Sequence, residues 1–293
     1  MTLHEYLREA RERLIAAGIP RGEAVLDAEL LARHVLGWDR VALVARLRDQ
    51  APGSFAADYA TCVDRRAARE PLAYITGVQE FWGRQFRVGP GVLIPRPETE
   101  LIIEEALSWA GARAAGAAPL RVLDIGTGSG CLAVTLALEI PGAQVAATDV
   151  SSAALAIARA NADRLGAAID VRLGNDLADL AGSFDLIVSN PPYVAAPAHA
   201  GLAPEVRDHE PVEALVAGAE GLDVIQEIVR KAGPALAPAG LLLMEIGYDQ
   251  AAAVTRIVGE TEGLRLLRVR EDLQGIPRVA VIASARPGAA SSG

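Results

Sequence analysis

The segment Leu120-Arg121-Val122-Leu123-Asp124-Ile125 runs directly into Gly126-Thr127-Gly128-Ser129-Gly130-Cys131. An apolar strand that turns through three glycines into a helix is the feature that most constrains this chain. The glycines allow a tight turn and a close approach of backbone to a ligand. Such a turn belongs to an open α/β sheet, in which ligands sit just beyond the carboxyl ends of the strands. The spacing is Gly-x-Gly-x-Gly, with Cys131 where a dinucleotide fingerprint needs its third glycine, and no Gly-Lys-Ser/Thr follows. A pyrophosphate or nucleoside triphosphate is therefore a poor match. Asp124 before the glycines suits a cationic ligand better. Cys131, at the start of the helix, reads as a small packing residue.

Residues 97–285 alternate helix and strand. Strands are predicted at about 120–126, 143–149, 170–174, 184–190, 240–246, 264–272 and 277–284. Helices are predicted at about 97–109, 130–140, 152–165, 222–236 and 249–260, with Pro97 at the first turn of the earliest. This is a doubly wound sheet of seven strands. The link Gln274-Gly275-Ile276 is too short for a crossover helix, so one of the last two strands is antiparallel.

Three further strand ends carry candidate ligand groups. Asp149 ends the second strand, where an acid can accept hydrogen bonds from both ribose hydroxyls; it can also be a helix N-terminal residue. Asn175, Asp176 and Leu177 follow the third strand and could hold the edge and face of an adenine, although Asp176 could equally cap a turn. The fourth strand, Phe184-Asp185-Leu186-Ile187-Val188-Ser189, stops at Asn190-Pro191-Pro192-Tyr193, because proline has no N–H for the ladder. Taken alone, that tetrapeptide could be a stiffened loop. With the glycine loop and Asp149 it completes the layout of a nucleoside-bearing cofactor whose reactive end faces Asn190. S-adenosylmethionine fits this layout: it has adenine and ribose, no phosphate, and a sulfonium cation.

Residues 1–72 read as a small bundle of amphipathic helices. Thr2 is placed to cap the first and Asp39 the third, Gly18 and Gly37 are placed as stops, and Ala51-Pro52-Gly53-Ser54 precedes a fourth. Residues 73–95 carry Glu80-Phe81-Trp82-Gly83-Arg84-Gln85-Phe86 and predict a β-hairpin linker. The catalytic domain spans 96–285, and 286–293 reads as a disordered tail. Residues 194–221 form a long Ala- and Pro-rich stretch, expected to act as a lid.

The formal net charge is −9. Residues 1–75 hold 11 Arg and 11 Asp/Glu, so the acidity lies wholly in the remainder. That argues against a nucleic-acid substrate, which usually needs a basic surface. No apolar run approaches the ~18 residues of a membrane span. The start resembles no signal peptide, and Cys62 and Cys131 have neither metal nor disulfide spacing. A cytoplasmic protein without a metal is expected.

Several stretches together resemble one family. They are Pro71-Leu72-Ala73-Tyr74-Ile75-Thr76-Gly77, Glu80-Phe81-Trp82-Gly83, Leu93-Ile94-Pro95-Arg96-Pro97-Glu98-Thr99-Glu100, the glycine loop, Ser189-Asn190-Pro191-Pro192-Tyr193, Glu210-Pro211 and Ala214-Leu215. They resemble the release factor glutamine methyltransferases, the PrmC/HemK family, over nearly the whole chain. Asn-Pro-Pro-Tyr alone is shared with adenine-N6 methyltransferases; the Ile-Pro-Arg-Pro-Glu-Thr-Glu stretch is the more specific. The resemblance implies a Rossmann-like class I methyltransferase sheet. It implies S-adenosylmethionine contacts at Gly126, Thr127, Gly128, Ser129, Gly130, Asp149, Asp176, Leu177 and Asn190. It implies a glutamine held by Asn190, Pro191, Pro192 and Tyr193, and class I peptide chain release factors, through their Gly-Gly-Gln loop, as partners. Many members carry an aromatic where this chain has Leu177. Two rival readings stay open on the motifs alone: an adenine-N6 nucleic-acid methyltransferase, and an inactive cofactor-binding interaction module.

Overall fold

The computed structural model describes residues 1–113, 118–175 and 182–286. They fall into two compact units, Met1–Val78 with Ala203–His209, and Gln79–Leu202 with Glu210–Gly293. Among the described residues no helix is long and apolar enough to cross a membrane.

The first unit is helical: α1 (Leu3–Ala16), α2 (Arg21–Leu36), α3 (Arg40–Ala45), α4 (Phe55–Ala67) and the short α5 (Leu72–Thr76). Thr2 and Glu5 form a reciprocal capping box at the start of α1, and Asp39 Oδ1 accepts from the Ala42 N–H at 2.7 Å. Gly37 ends α2 in the left-handed conformation. Leu14, Leu31, Phe55 and Tyr59 fill the core, and the buried Tyr59 hydroxyl donates to the Ala28 carbonyl at 2.9 Å.

A hairpin follows, β1 (Val78–Phe81) and β2 (Arg84–Arg87). Its two turn residues, Trp82 and Gly83, have φ of 52° and 69°. That is the pair of positive angles a two-residue hairpin turn requires. A turn of 3-10 helix at Pro97–Thr99 leads into α6 (Glu100–Gly111). Strands and helices then alternate: β3 (Arg121–Ile125), α7 (Cys131–Glu139), β4 (Gln144–Asp149), α8 (Ser152–Leu165), β5 (Ile169–Leu173), β6 (Phe184–Ser189). After an excursion containing α9 (Pro204–His209) come α10 (Asp223–Ala235), β7 (Leu236–Glu245), α11 (Ala251–Gly259), β8 (Leu264–Glu271) and β9 (Pro277–Ser284).

The seven-stranded sheet has the order β5-β4-β3-β6-β7-β9-β8. All neighbours are parallel except β9, which runs against both β7 and β8. Alternate residues of each central strand face opposite layers, as the period of two demands. Val122, Leu186 and Leu243 join a core with α6 and α7, whereas Leu123, Ile187 and Leu242 join one with α10 and α11. The short link predicted before β9 is held by Asp272, whose Oδ1 accepts from the Gln274 and Ile276 N–H groups at 2.8 and 3.0 Å.

The structure departs from the sequence reading in two places: Leu72–Thr76 is helical where the hairpin linker was expected to begin, and one strand starts early. β7 begins at Leu236 rather than near 240, because a bulge with Ala239 at φ 61° breaks its period. The stretch expected to act as a lid, 194–221, carries short elements of its own. It contains two 3-10 segments and α9, and Val194 bridges Val216. Within the helical unit, Glu205 of α9 pairs with Arg66 at 2.9 Å and Arg69 at 2.7 Å, and Arg66 also holds Asp27 at 2.7 Å.

Candidate active site

The register sets the site. Ile125 pairs with Thr148 on β4 and with Ser189 on β6, and Ser189 pairs with Met244 on β7. The carboxyl ends of four adjacent strands are therefore level. Asp149, the glycine loop, Asn190 and Glu245 follow one another along a single sheet edge.

A cavity of about 690 Å³ lies at this edge. Gly126, Thr127, Gly128 and Ser129 line it together with Asp149, Asn175, Asn190, Pro191 and Pro192. The Gly126 and Thr127 N–H groups both donate to the Thr148 carbonyl at 2.9 Å, which folds the loop back over β4. Asp149 Oδ2 accepts from the Gly128 N–H and Oδ1 from the Ser151 N–H, each at 2.9 Å. Each oxygen keeps a second lone-pair direction for a ligand.

Asp124 is fully buried. Its Oδ2 accepts from the Thr127 hydroxyl at 2.6 Å and the Ala133 N–H at 3.2 Å, while its Oδ1 has no partner among the described residues. Burial pushes this carboxyl up to about 7, against those two bonds. It braces the glycine loop from beneath. Cys131 is also buried, and burial pushes its thiol up to about 12, as suits a packing residue and not a nucleophile.

Two expected site residues do not line the cavity. Gly130 opens α7 at φ 82°, and a Cβ there would stand 3.1 Å from the Ala158 Cβ; its glycine serves the approach of α7 to α8. Tyr193 packs against the β7 side of the core, and its hydroxyl donates to Glu245 Oε1 at 3.2 Å. Asp176 and Leu177 lie outside the described residues.

Two residues not assigned from the sequence complete the edge. Glu245 ends β7 and is 2% exposed; Thr99 precedes α6 and is 1% exposed. The Thr99 hydroxyl donates to Glu245 Oε2 at 2.6 Å, and the Asn190 Nδ2 donates to Thr99 Oγ1 at 3.1 Å. Asn190 Oδ1 is buried and has no partner among the described residues. Burial pushes Glu245 up to about 7, against its bonds from Thr99 and Tyr193.

The surrounding shell is built to hold these groups still. Asn161 of α8 accepts from the Arg87 N–H at 2.7 Å and donates to the Ser129 carbonyl at 2.8 Å. Glu210 accepts from the Ile94 N–H at 3.0 Å and pairs with Arg96. Gln250 donates to the carbonyls of Tyr193 at 3.0 Å and Gly221 at 3.1 Å, clamping both ends of the excursion.

Comparison with known proteins fits this geometry. The model of the PrmC N-terminal domain matches residues 5–77, and that of the methyltransferase small domain matches 114–206. A release factor glutamine methyltransferase of Cereibacter sphaeroides is 46% identical, over 95% of this chain and 97% of its own length. One from Bordetella pertussis is 44% identical, over 92% and 97%. The chain belongs to the release factor glutamine methyltransferase family. Among solved structures, a methyltransferase from Pyrococcus furiosus is similar at a TM-score of 0.50 with 18% identity, covering 78% of this chain and 98% of that one. The hMettl16 catalytic domain in complex with a 3'UTR hairpin is similar at 0.56 with 16% identity, covering 89% and 91%. At such identities the likeness is one of fold.

Proposed function

We propose that this chain transfers the methyl group of S-adenosylmethionine to the side-chain amide nitrogen of the glutamine in the Gly-Gly-Gln motif of class I peptide chain release factors. The single observation that carries this reading is the buried, unpartnered Oδ1 of Asn190. A buried carbonyl oxygen without a hydrogen bond is costly, and such atoms call for an explanation. A planar NH2 from a substrate amide would supply the missing donor.

The cavity suits this cofactor. Among the described residues its charged lining is Asp149, Glu213, Glu227 and Lys231, and the one base of these is already paired with Glu227 at 2.7 Å. A lining with more acids than bases favours a cation over a pyrophosphate. In this reading the loop residues Gly126, Thr127, Gly128 and Ser129 hold the cofactor's polar end and Asp149 its ribose. Asn175 stands where the adenine edge is expected.

An amide nitrogen is a weak nucleophile, because its lone pair is delocalised into the carbonyl. S-adenosylmethionine supplies an already activated methyl on a sulfonium. The protein's task is therefore aim. Asn190 Oδ1 and the Pro191 carbonyl each accept one N–H of the glutamine amide, which orients the nitrogen and stabilises the positive charge that develops on it. Proline at 191 and 192 fixes the backbone angles on which both acceptors depend. Tyr193 acts from behind, by holding Glu245. The reaction needs no general base, since the proton can leave to water after transfer.

The helical unit carries no such constellation, and its proposed role is docking of the release factor. Labelled methyl transfer to a purified release factor, to the same protein with its Gly-Gly-Gln glutamine replaced, and to duplex DNA tests the whole reading. Label is expected only on the first. Equal label on the glutamine-replaced protein, or label on DNA, refutes it.

A further inference from the structure

We infer that Thr99 and Glu245 are positioning residues that hold Asn190 with its amide oxygen, and not its NH2, toward the substrate. The inference rests on the methyl-transfer reading above and goes beyond it, since the orientation of an amide is decided by its surroundings.

A threonine hydroxyl has one proton and two lone pairs. The 2.6 Å separation of Thr99 Oγ1 from Glu245 Oε2 is that of a short hydroxyl–carboxyl hydrogen bond. While Glu245 is ionised it can only accept, so the Thr99 proton then lies on that bond. Toward Asn190, 3.1 Å away, Thr99 can then offer only a lone pair. The Asn190 atom facing it must be the NH2 group. Turning the amide over would set a carbonyl oxygen against that lone pair and leave the NH2 where the substrate's own NH2 must bind, donor against donor. Both Thr99 and Glu245 are buried, so water does not compete for these bonds. The second carboxylate oxygen is engaged as well, by the Tyr193 hydroxyl at 3.2 Å.

The chain of bonds has a polarity that a proton can reverse. With Glu245 neutral, its own O–H can donate to Thr99. The Thr99 proton is then free to donate to the Asn190 carbonyl, and the amide turns over. The groups facing Glu245 are Thr99 before α6, Tyr193 after β6, Glu98, the buried Cys131 thiol and Arg278 of β9. Arg278 favours the ionised form, whereas Glu98 and burial oppose it. Burial dominates and pushes Glu245 up to about 7. Methyl transfer should accordingly weaken as the medium is made acidic through neutrality.

The test uses the full chain, with wild type, Thr99→Val, Thr99→Ser and Glu245→Gln. Single-turnover methyl transfer to release factor is followed across neutral pH at saturating cofactor, with cofactor affinity and melting temperature measured beside it. Thr99→Val should slow transfer roughly ten- to a hundredfold, the worth of one buried hydrogen bond to a charged network, and lose the acid limb. Cofactor affinity should stay at the wild-type value, and Thr99→Ser should restore rate and limb together. Glu245→Gln cannot titrate and should lack the limb whatever its rate. The inference is overturned by a Thr99→Val protein with wild-type rate and limb, by loss of cofactor affinity in parallel with rate, or by an acid limb that persists in Glu245→Gln. Failure of the methyl-transfer reading looks different: wild type itself would put no label on the glutamine.

Discussion

Replacing Asn190 by alanine separates chemistry from folding more sharply than any other change at this edge. In the structure the side chain makes one hydrogen bond, from Nδ2 to Thr99 at 3.1 Å, and leaves Oδ1 unsatisfied. Losing that bond costs folding about 1 kcal/mol, and removing an unsatisfied buried oxygen returns part of it. In the transition state the same Oδ1 accepts a hydrogen bond from a nitrogen gaining positive charge. Deleting one such pre-set partner typically costs about 2.7–4 kcal/mol, or roughly a hundred- to a thousandfold in rate. The kinetic loss should thus exceed the folding loss at least twofold in free energy. Asn190→Ala is expected to melt within a few degrees of wild type and to keep most of its cofactor affinity, because Asp149 and the glycine loop are untouched and only the contact from Asn190 itself is lost. The assay is single-turnover labelled methyl transfer at saturating cofactor, with calorimetric binding as its control. A transfer rate within about threefold of wild type, in a variant that binds cofactor normally, would refute the assignment of Oδ1 as an acceptor.

Other expectations follow from individual contacts. Gly130→Ala should destabilise the protein by about 2–5 kcal/mol in urea unfolding, the sum of left-handed strain and overpacking against Ala158; a change below about 0.5 kcal/mol would contradict the packing account. Asp149→Asn should weaken cofactor binding by roughly tenfold or more in calorimetry, since a charge-assisted acceptor becomes a neutral one; an unchanged affinity removes Asp149 from the ribose site. Asp124 and Glu245 both have carboxyls raised to about 7 by burial, so the folded state holds protons that the unfolded chain releases. Stability should therefore rise as pH falls through about 7 toward the ordinary carboxylate range. Below that range it should fall. Glu70, held below its usual value by the Arg65 hydrogen bond, and Glu205, held below it by Arg69 and Arg66 against burial, then become protonated. Melting temperature against pH, set beside the rate profile, checks whether the stability optimum lies on the acid side of the activity optimum.

What could be read from the sequence was local. The turn from β3 into α7, the end of β6 at Asn190, the capping residues of α1 and α3 and the short link before β9 each depend on a few consecutive residues, and each stands as predicted. The bond between Thr99 and Glu245 joins residues 146 apart, and no local pattern announces it. A signal was present all the same: Glu245 ends an apolar strand as Asp149 does, and an acid at that place in an α/β sheet faces the ligand edge. Thr99 was hidden differently, since threonine at the start of a helix usually reads as a cap, whereas here its hydroxyl turns to β7. The excursion after Tyr193 read as a loop because its Ala and Pro content carries no period. Its backbone is satisfied by short helical turns, by the Val194 to Val216 bridge and by Gln250. The adenine contacts expected of Asp176 and Leu177 lie outside the described residues.

The neutrality of Asn190 matters to the chemistry. A carboxylate at this position would grip an NH2 group more strongly. It would also sit close to the buried carboxyl of Glu245, already pushed toward neutrality, and would be driven the same way. If it stayed charged, it would attract a sulfonium in the ground state as firmly as it stabilised the nitrogen later, and binding both states equally accelerates nothing. A neutral oxygen acts at short range and mainly on the group hydrogen-bonded to it. Its weakness is that an amide has two nearly isosteric ends, only one of which accepts. A motif that ends a strand in asparagine therefore needs a second device to choose the end. In this fold the device comes from β7 and from the turn before α6, both brought to the same edge by a register that levels Ser189 with Met244. The tetrapeptide supplies the acceptor, and the buried Thr99 to Glu245 bond decides which way it faces.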